Sequence, residues 1–388
     1  MTENPKVLLD NQTRSRIFFS LYGAVFSAML GVGIVIPLLP RYVVTMGATG
    51  IWIGAIFSAF ALARVIFLPV FGKLSDNYGR RKLILIGLSS YSILSVLYIL
   101  AGTVFEITAL RFFHGIASAM ILPIAIAYIS DVTPVGGEGK FIGSFVSSIY
   151  IGMSFGPFIG GLILDYFTMN AVFFAMALLS LLALTTTLLY VPDIAPGPVI
   201  RSSFKSIVFH KALQGPILYQ LMYALANGTF MVFLPILAIR TGQISATGIG
   251  LVILVSVLST TVFQSLFSRF SDNFRRYHLI AVGVGMIGAS LLIVPFFQGL
   301  PSFLIAALIM GIGRGISLPA MYALVTDAGR EIGQGSASGL VNTCLAVGMI
   351  VAPLLSGTVM DYSGIFSVFL LSGLICVVCT MIFCRMGR

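Results

Sequence analysis

Charged residues are scarce in this chain: Asp, Glu, Lys and Arg make up 9% of its 388 residues. A soluble domain carries about 25% charge, so a chain of this composition cannot cover itself with polar surface. Hydrophobic residues reach 58%, and the mean hydropathy is +1.07. Most of the chain is therefore expected to lie in a lipid bilayer.

Cysteine and histidine are also few, with four and three residues respectively. Cys376 and Cys379 lie in an apolar run with no nearby histidine and no second cysteine pair, so we expect helix packing there and no metal site. The scattered histidines offer no nucleophile–base pair or metal cluster, which disfavours an integral-membrane enzyme. The sequence contains no Walker A motif, so ATP is not expected to be the energy source unless a partner supplies it.

Acidic residues are missing from the middle of every long apolar segment. All twelve lie in tails, loops or segment ends, at Glu3, Asp10, Asp76, Glu106, Asp131, Glu138, Asp165, Asp193, Asp272, Asp327, Glu331 and Asp361. A site built from the apolar segments would therefore have no carboxylate at mid-depth in the bilayer.

The two halves of the chain repeat one another. A shift of 196 residues places Asp76 on Asp272 (272 − 76 = 196) and Pro157 on Pro353 (353 − 157 = 196). The same shift superimposes further glycines and an Asp-Tyr pair. One offset that holds over about ninety residues indicates an internal duplication.

Each half contains six apolar segments of the length that crosses a bilayer, about 20 residues. The predicted spans are 17–40, 50–72, 83–102, 107–130, 141–164, 171–191, 214–238, 248–268, 278–297, 302–326, 338–360 and 364–384. We therefore predict an all-α membrane protein with twelve transmembrane helices in two pseudo-symmetric six-helix bundles. The predicted bundles are residues 1–191 and 214–388, and residues 192–213 form a polar cytoplasmic linker between them.

Lysine and arginine predict the orientation in the membrane. Seventeen of them fall in the termini and loops of one side, whereas the opposite loops hold only Arg41 and Arg240. Because cationic loops stay in the cytoplasm, both termini are predicted to be cytoplasmic. The net charge of +10 is then explained by topology and anionic lipid headgroups, and no nucleic-acid partner is expected. We expect a monomer in a plasma membrane, the inner membrane if the source is a bacterium.

Four motifs of the first half resemble those of the major facilitator superfamily. The loop after the second span matches the signature G-x-L-x-D-x-x-G-R-[KR] at Gly72, Leu74, Asp76, Gly79, Arg80 and Arg81. The fourth-span motif is matched by Leu110, Arg111 and Gly115. The stretch 31–40 is similar to the first-span pattern of the twelve-span drug:proton antiporters. Their fifth-span motif is matched by Gly152, Gly156, Pro157, Gly160 and Gly161. Close helix packing around a kink is a complete structural reason for that last motif, and its link to antiport comes from the resemblance alone.

The charged loop predicts a conformational latch. Asp76 can pair with Arg80 or cap a neighbouring helix N terminus, and Asp131 is a second partner for Arg80. For Arg81, simple attraction to the cytoplasmic side is an equally good explanation. The residues expected in the latch and its weaker second copy are Gly72, Asp76, Gly79, Arg80, Arg81, Asp131, Asp272, Arg275 and Asp327.

Three arginines interrupt predicted spans: Arg64, Arg111 and Arg314. Each costs about 2.5–3.5 kcal/mol at a helix centre, so each is a functional candidate. The resemblance implies a cavity lined by the first, fourth, seventh and tenth spans, which would place Arg111, His114, Arg314 and Asn227 at the substrate. His114, whose side chain has an ordinary pKa near 6.5, is the candidate proton carrier.

Together these features predict a secondary active transporter that works by rocker-switch alternating access. We expect a proton-coupled exporter of small amphiphilic molecules that resembles the multidrug efflux branch, with no cofactor besides the proton gradient. Buried positive charge without a mid-depth acid favours neutral, zwitterionic or anionic cargo, which departs from the cation exporters of that branch. The alternative is a dedicated carrier or exporter of a lipid or of an anionic or zwitterionic metabolite, with or without proton coupling. The short tails disfavour a transport-inactive sensor.

Overall fold

A computed structural model describes residues 11–133, 138–193, 211–242, 244–270 and 274–387. Within these ranges every regular element is a helix, which confirms the predicted all-α fold. The α-helices are α1 Asn11–Val35, α2 Leu39–Thr45, α3 Gly50–Tyr78, α4 Arg80–Leu100, α5 Val104–Ala119, α6 Leu122–Val132, α7 Glu138–Tyr166, α8 Met169–Tyr190, α9 Gln214–Gly228, α10 Leu234–Gly242, α11 Ala246–Phe270, α12 Arg276–Ile293, α13 Gly299–Ile332 and α14 Gln334–Met386.

Eleven helical segments of the described chain are long and apolar enough to cross a membrane. The last of them, α14, has 53 residues, or about 80 Å at 1.5 Å per residue, against a hydrocarbon core of about 30 Å. Gly364 interrupts α14 with φ 81° and ψ 168°, a conformation that glycine tolerates because it has no Cβ. The helix therefore supplies two spans that meet at Gly364, and the architecture is consistent with the twelve predicted.

Three of the four spans expected to line a cavity are not single continuous α-helices. The first span divides into α1 and α2, and the fourth into α5 and α6, where Pro123 sits in the first turn of α6. The seventh divides into α9 and α10 with a π-helix at Thr229–Phe233 between them. Proline lacks the N–H that continues a helical ladder, which accounts for the break before α6.

The helices pack into two units. Unit 1 contains residues 1–36 and 59–200, and unit 2 contains residues 37–58 and 201–388. The segment 37–58 belongs to the first half by sequence, yet it packs within unit 2, where α2 contacts α10. Most of the predicted linker 192–213 lies outside the described residues, so its role stays a prediction.

In unit 1, α1 packs between α7 and α8. Small residues of α7 make the first of these contacts close: a Cβ on Gly156 would lie 2.7 Å from the main chain of Gly33, and one on Gly152 would lie 2.8 Å from the Phe26 carbonyl. Gly160 faces Ile34 in the same way, while Pro157 and Gly161 are buried on α7. The fifth-span motif thus places α7 against α1 at backbone contact.

Candidate functional site

Arg314 lies in the middle of α13 and is only 3% exposed. It stands 15 residues from the start of α13 (314 − 299) and 18 from its end (332 − 314), more than 20 Å from either end at about 1.5 Å per residue. A charge at that depth is outside the reach of snorkelling. The arginine that interrupts the predicted tenth span is therefore a buried cation in the structure.

Three glycines next to Arg314 in the sequence show which sides of α13 are covered by neighbouring helices. Gly311 and Gly315 pack against α11, and a Cβ on either would meet that helix within 3 Å. Gly313 packs against Gly283 of α12 with the same closeness. Since two sides of α13 are occupied by neighbouring helices, the side chain of Arg314 is left to face α9 and the π-helix.

The guanidinium of Arg314 is surrounded by aromatic rings and a thioether. Its Cζ lies 5.8 Å from the ring centroid of Tyr223 and 5.7 Å from that of Phe230. Its Nη2 donates to the Met310 sulfur at 3.4 Å, and sulfur is a weak acceptor. Among the described residues it makes no other hydrogen bond and no ion pair. No carboxylate neutralises it within that part of the chain.

Two polar side chains, Tyr219 and Ser317, lie about one helical turn from the side chains that surround Arg314. Tyr219 is fully buried, and its hydroxyl lies 2.8 Å from the Ser317 hydroxyl. Its ring stacks on that of Tyr223, with centroids 6.0 Å apart. Tyr219, Tyr223 and the half-buried Asn227 are four residues apart, so they follow one face of α9. We call Tyr219, Tyr223, Phe230, Met310, Arg314 and Ser317 the arginine cage.

The π-helix begins two residues after Asn227. Thr229 is buried at its start, and its hydroxyl lies 2.7 Å from that of Ser372 and 3.4 Å from that of Ser356, both on α14. π-helical turns are rare and occur mostly at functional sites, because they change which side chains share a face. This turn places Phe230 beside Arg314. Local propensity gives no signal for it, so sequence analysis missed this feature.

Arg111 and His114 are buried inside unit 1, with 3% and 0% exposure. Gly115 brings α5 against the main chain of α3 at Phe60, and the Cζ of Arg111 lies 5.5 Å from the Phe60 ring centroid. The His114 ring meets the Tyr91 ring edge-on at a centroid distance of 4.1 Å. Neither ring nitrogen of His114 has a hydrogen-bond partner among the described residues.

Tyr91 brings the predicted residues of unit 1 together. It lies near both Arg111 and the half-buried Arg64, close enough for their charges to act on its hydroxyl. These groups sit among α3, α4 and α5, so within unit 1 they form an internal cluster. Their predicted contact with substrate stays a prediction.

The charged loop between α3 and α4 forms the expected ion pairs within unit 1. Nε of Arg80 lies 2.8 Å from Asp131, and Nη2 lies 3.7 Å from Asp76. Gly79 joins the two helices with φ 96°, a value open mainly to glycine. Arg81 donates to the Leu188 carbonyl at 2.7 Å. A Cβ on Gly72 would meet nothing within 4 Å, so that glycine faces open space. The two ion pairs of Arg80, with Asp76 and Asp131, connect α4 to α3 and to α6.

The second copy of this cluster uses a residue that sequence analysis did not choose. Asp327 pairs with Arg276, whereas Arg275 precedes α12 in an extended conformation and donates to the Gly387 carbonyl at 3.4 Å. The repeat explains the choice, since a shift of 196 maps Arg80 onto Arg276 (276 − 80 = 196). Arg275 instead corresponds to Gly79 (275 − 79 = 196). Asp272 lies outside the described residues.

The described residues contain no group of three or more His, Cys, Asp or Glu side chains that could hold a metal ion. Cys376 and Cys379 are buried as free cysteines, Cys376 against Gly288 of α12.

Comparison with known proteins gives consistent matches across the whole chain. The family model described as Major Facilitator Superfamily matches residues 21–219 and 216–387. An uncharacterized MFS-type transporter of Methanocaldococcus jannaschii is 27% identical over 93% of this chain and 95% of its own length. The quinolone resistance protein NorA of Staphylococcus aureus is 26% identical over 88% of this chain and 89% of its own length. Among solved structures, the nucleoside transporter NupG superposes with a TM-score of 0.83 at 16% identity, covering 96% of this chain and 100% of NupG.

Two family matches, each over one half, agree with the internal repeat, and the NupG likeness shows the fold. The helices, the repeat and the charged loop between α3 and α4 agree with these matches, and the chain belongs to the Major Facilitator Superfamily of membrane transporters.

Proposed function

We propose that this transporter exports small amphiphilic molecules bearing a negative or strongly dipolar group, and that a proton gradient drives it. The similarity to the quinolone resistance protein NorA supports export of amphiphiles. The observation that carries the choice of cargo is Arg314, a buried cation that the described residues leave without an acidic partner.

Cation–π attraction offsets only part of the cost of placing Arg314 at this depth. At the ring distances of 5.8 and 5.7 Å each contact contributes about 0.5–1 kcal/mol, so the two together offset about 1–2 kcal/mol of an insertion cost of about 2.5–3.5 kcal/mol. Cation–π contacts use none of the five N–H donors of the guanidinium as hydrogen bonds to a lone pair. Met310 accepts from only one nitrogen. The remaining donors suit a planar acceptor.

A carboxylate or phosphate fits those donors best, because two of its oxygens can accept parallel hydrogen bonds from one guanidinium. The rings of Tyr223 and Phe230 beside it suit an apolar or aromatic body, as ligand sites combine apolar walls with a few polar groups. The cage therefore supports binding of a molecule with both parts, an amphiphile with an anionic or zwitterionic end.

For energy coupling we propose the proton gradient, by resemblance to the drug:proton antiporters. His114 is the candidate carrier, because its two ring nitrogens have no hydrogen-bond partner among the described residues and can take up a proton when water reaches them. Alternating access between the two sequence halves supplies the transport step.

Purified protein in proteoliposomes tests this function. A pH gradient is imposed, and uptake is followed for three amphiphiles with the same aromatic body and an anionic, a zwitterionic or a cationic end. We expect gradient-dependent movement of the anionic and zwitterionic compounds and little movement of the cationic one. Preferred transport of the cation would contradict the cargo, and movement unaffected by the gradient would contradict the coupling.

A dedicated carrier of a lipid or an anionic metabolite is the second candidate, and the same buried cation favours it. A phosphate-bearing lipid included in the assay distinguishes the two. Transport of that lipid without transport of any drug-like amphiphile would select the second candidate.

A further inference from the structure

The first turn of α3 is capped by a carboxylate from α14, inside unit 2. Asp361 accepts hydrogen bonds from the backbone N–H of Gly50 at 2.5 Å and of Ile51 at 2.8 Å. The first N–H groups of a helix have no acceptor within the helix itself. The positive end of the helix dipole adds to the attraction for a negative group. One carboxylate thus holds two otherwise unsatisfied donors of another helix.

Below this cap the two helices touch through their main chains. Gly50 and Gly54 lie so close to α14 that a Cβ on either would overlap its backbone. One turn further along, the Ser58 hydroxyl donates to the Ile350 carbonyl at 2.5 Å. Positions 50, 54 and 58 share one face of α3. Small residues at this spacing let membrane helices approach at backbone distance, so the cap and the stripe form one continuous contact.

This contact joins helices from the two sequence halves. The part of α3 up to Ser58 belongs to unit 2, whereas the rest of the same helix, from Ala59, belongs to unit 1. On the orientation predicted from lysine and arginine, the Gly50 end of α3 faces the outside. Alternating access moves one half of a transporter against the other around a fixed site, so a contact of this kind has to open once in every cycle.

We infer that the Asp361 cap on α3 closes the external side of the transport path, and that its release opens that side. Charge-assisted hydrogen bonds are about twice as strong as neutral ones, which suits a closure. Asp361 is nevertheless exposed, so water can replace the two amide donors when the helices separate. Asp361 is therefore a residue that controls transport without touching the substrate.

The chain offers a matched control for this chemistry. Glu106 also caps amides at a helix start, accepting from Gly102 N–H at 2.7 Å and Thr103 N–H at 3.1 Å. These amides precede its own helix, α5, so this cap joins no second helix. By the predicted orientation, the Glu106 cap lies on the same side of the membrane as the Asp361 cap. Removal of Glu106 therefore removes a carboxylate cap without releasing α3 from α14.

A buried reporter on α3 tests the inference. In a background with all four native cysteines replaced, Ser58→Cys places a thiol at a position that is 4% exposed. Cells are treated with a membrane-impermeant maleimide, and the labelling rate is compared in the parent, Asp361→Ala and Glu106→Ala. We expect Asp361→Ala to label at least about tenfold faster, a shift of about 1.4 kcal/mol in the opening equilibrium. Glu106→Ala should label like the parent.

Two further variants keep the test decisive. Asp361→Asn retains one acceptor oxygen and should give an intermediate rate. Gly357→Leu keeps the carboxylate but inserts a side chain where a Cβ already overlaps the main chain of Gly50, so it should also speed labelling. Each variant is checked for a single symmetric elution peak in detergent. Unchanged labelling in folded Asp361→Ala and Gly357→Leu would overturn the inference, as would equal acceleration in Glu106→Ala. Neither outcome depends on the cargo proposed above.

Discussion

Replacing Arg314 by methionine is expected to raise the stability of the unliganded protein while it weakens binding of an anionic ligand. Methionine fills a similar space with a flexible, apolar side chain, so the change removes the charge with little loss of packing. A buried charge kept for function is a common source of such a trade-off, because the site is optimised for a ligand and not for the empty state.

The distances around the guanidinium set the magnitude. Both ring centroids lie near 6 Å from Cζ, at 5.8 and 5.7 Å, which is the limit of a useful cation–π contact and places each at about 0.5–1 kcal/mol. Subtracting about 1–2 kcal/mol for the pair from an insertion cost of about 2.5–3.5 kcal/mol leaves a net cost of about 0.5–2.5 kcal/mol. Arg314→Met should recover that amount.

Thermal unfolding in detergent, without ligand, measures this gain. Arg240→Met is the control, since Arg240 is exposed at the end of α10 and its removal changes the net charge by the same amount. We expect Arg314→Met to unfold at a higher temperature than the wild type. The unfolding temperature of Arg240→Met should differ little from that of the wild type. A lower unfolding temperature for Arg314→Met alone would refute the reasoning, because it would show that the guanidinium supports the fold.

Three further substitutions test other contacts. Asp131→Asn removes the negative charge that pairs with Arg80 at 2.8 Å. Transport turnover should fall severalfold while ligand affinity stays unchanged. A loss of affinity as large as the loss of turnover would contradict the latch. Gly156→Leu should sharply reduce the yield of folded protein, measured by size-exclusion chromatography, whereas Gly143→Leu, with nothing within 4 Å of its Cβ position, should not. Tyr223→Leu should weaken binding of ligands with an aromatic body by about 0.5–1.5 kcal/mol, and equal affinity by calorimetry would exclude Tyr223 from the site.

The spans were predictable from sequence because the bilayer imposes a simple length and polarity rule on each. The broken first and fourth spans were signalled only by their prolines. The assignment of 37–58 to unit 2 was not predictable, since it depends on backbone contact between Gly50 and Gly357. Hydropathy carries no information about which helices touch.

The candidate site was predictable in part. Arg314 stood out because a charge in an apolar segment is costly, but its aromatic neighbours did not. Tyr223 lies four residues before Asn227, and that spacing was the available signal for a shared helix face. Phe230 lies beside the arginine on a π-helix whose first residue, Thr229, contacts the Ser372 hydroxyl of α14, and local propensity carries no signal for such a turn.

Binding of a charged and a neutral ligand with the same aromatic body tests most directly whether Arg314 recognises an anionic group. Affinities are measured by calorimetry for the wild type, Arg314→Ala and Arg314→Lys. We predict that Arg314→Ala weakens the charged ligand at least about tenfold, or 1.4 kcal/mol, and leaves the neutral one almost unchanged. Lysine should restore only part of the affinity, because it lacks the planar fork of donors. Equal losses for both ligands would contradict a role for Arg314 in recognising the charge.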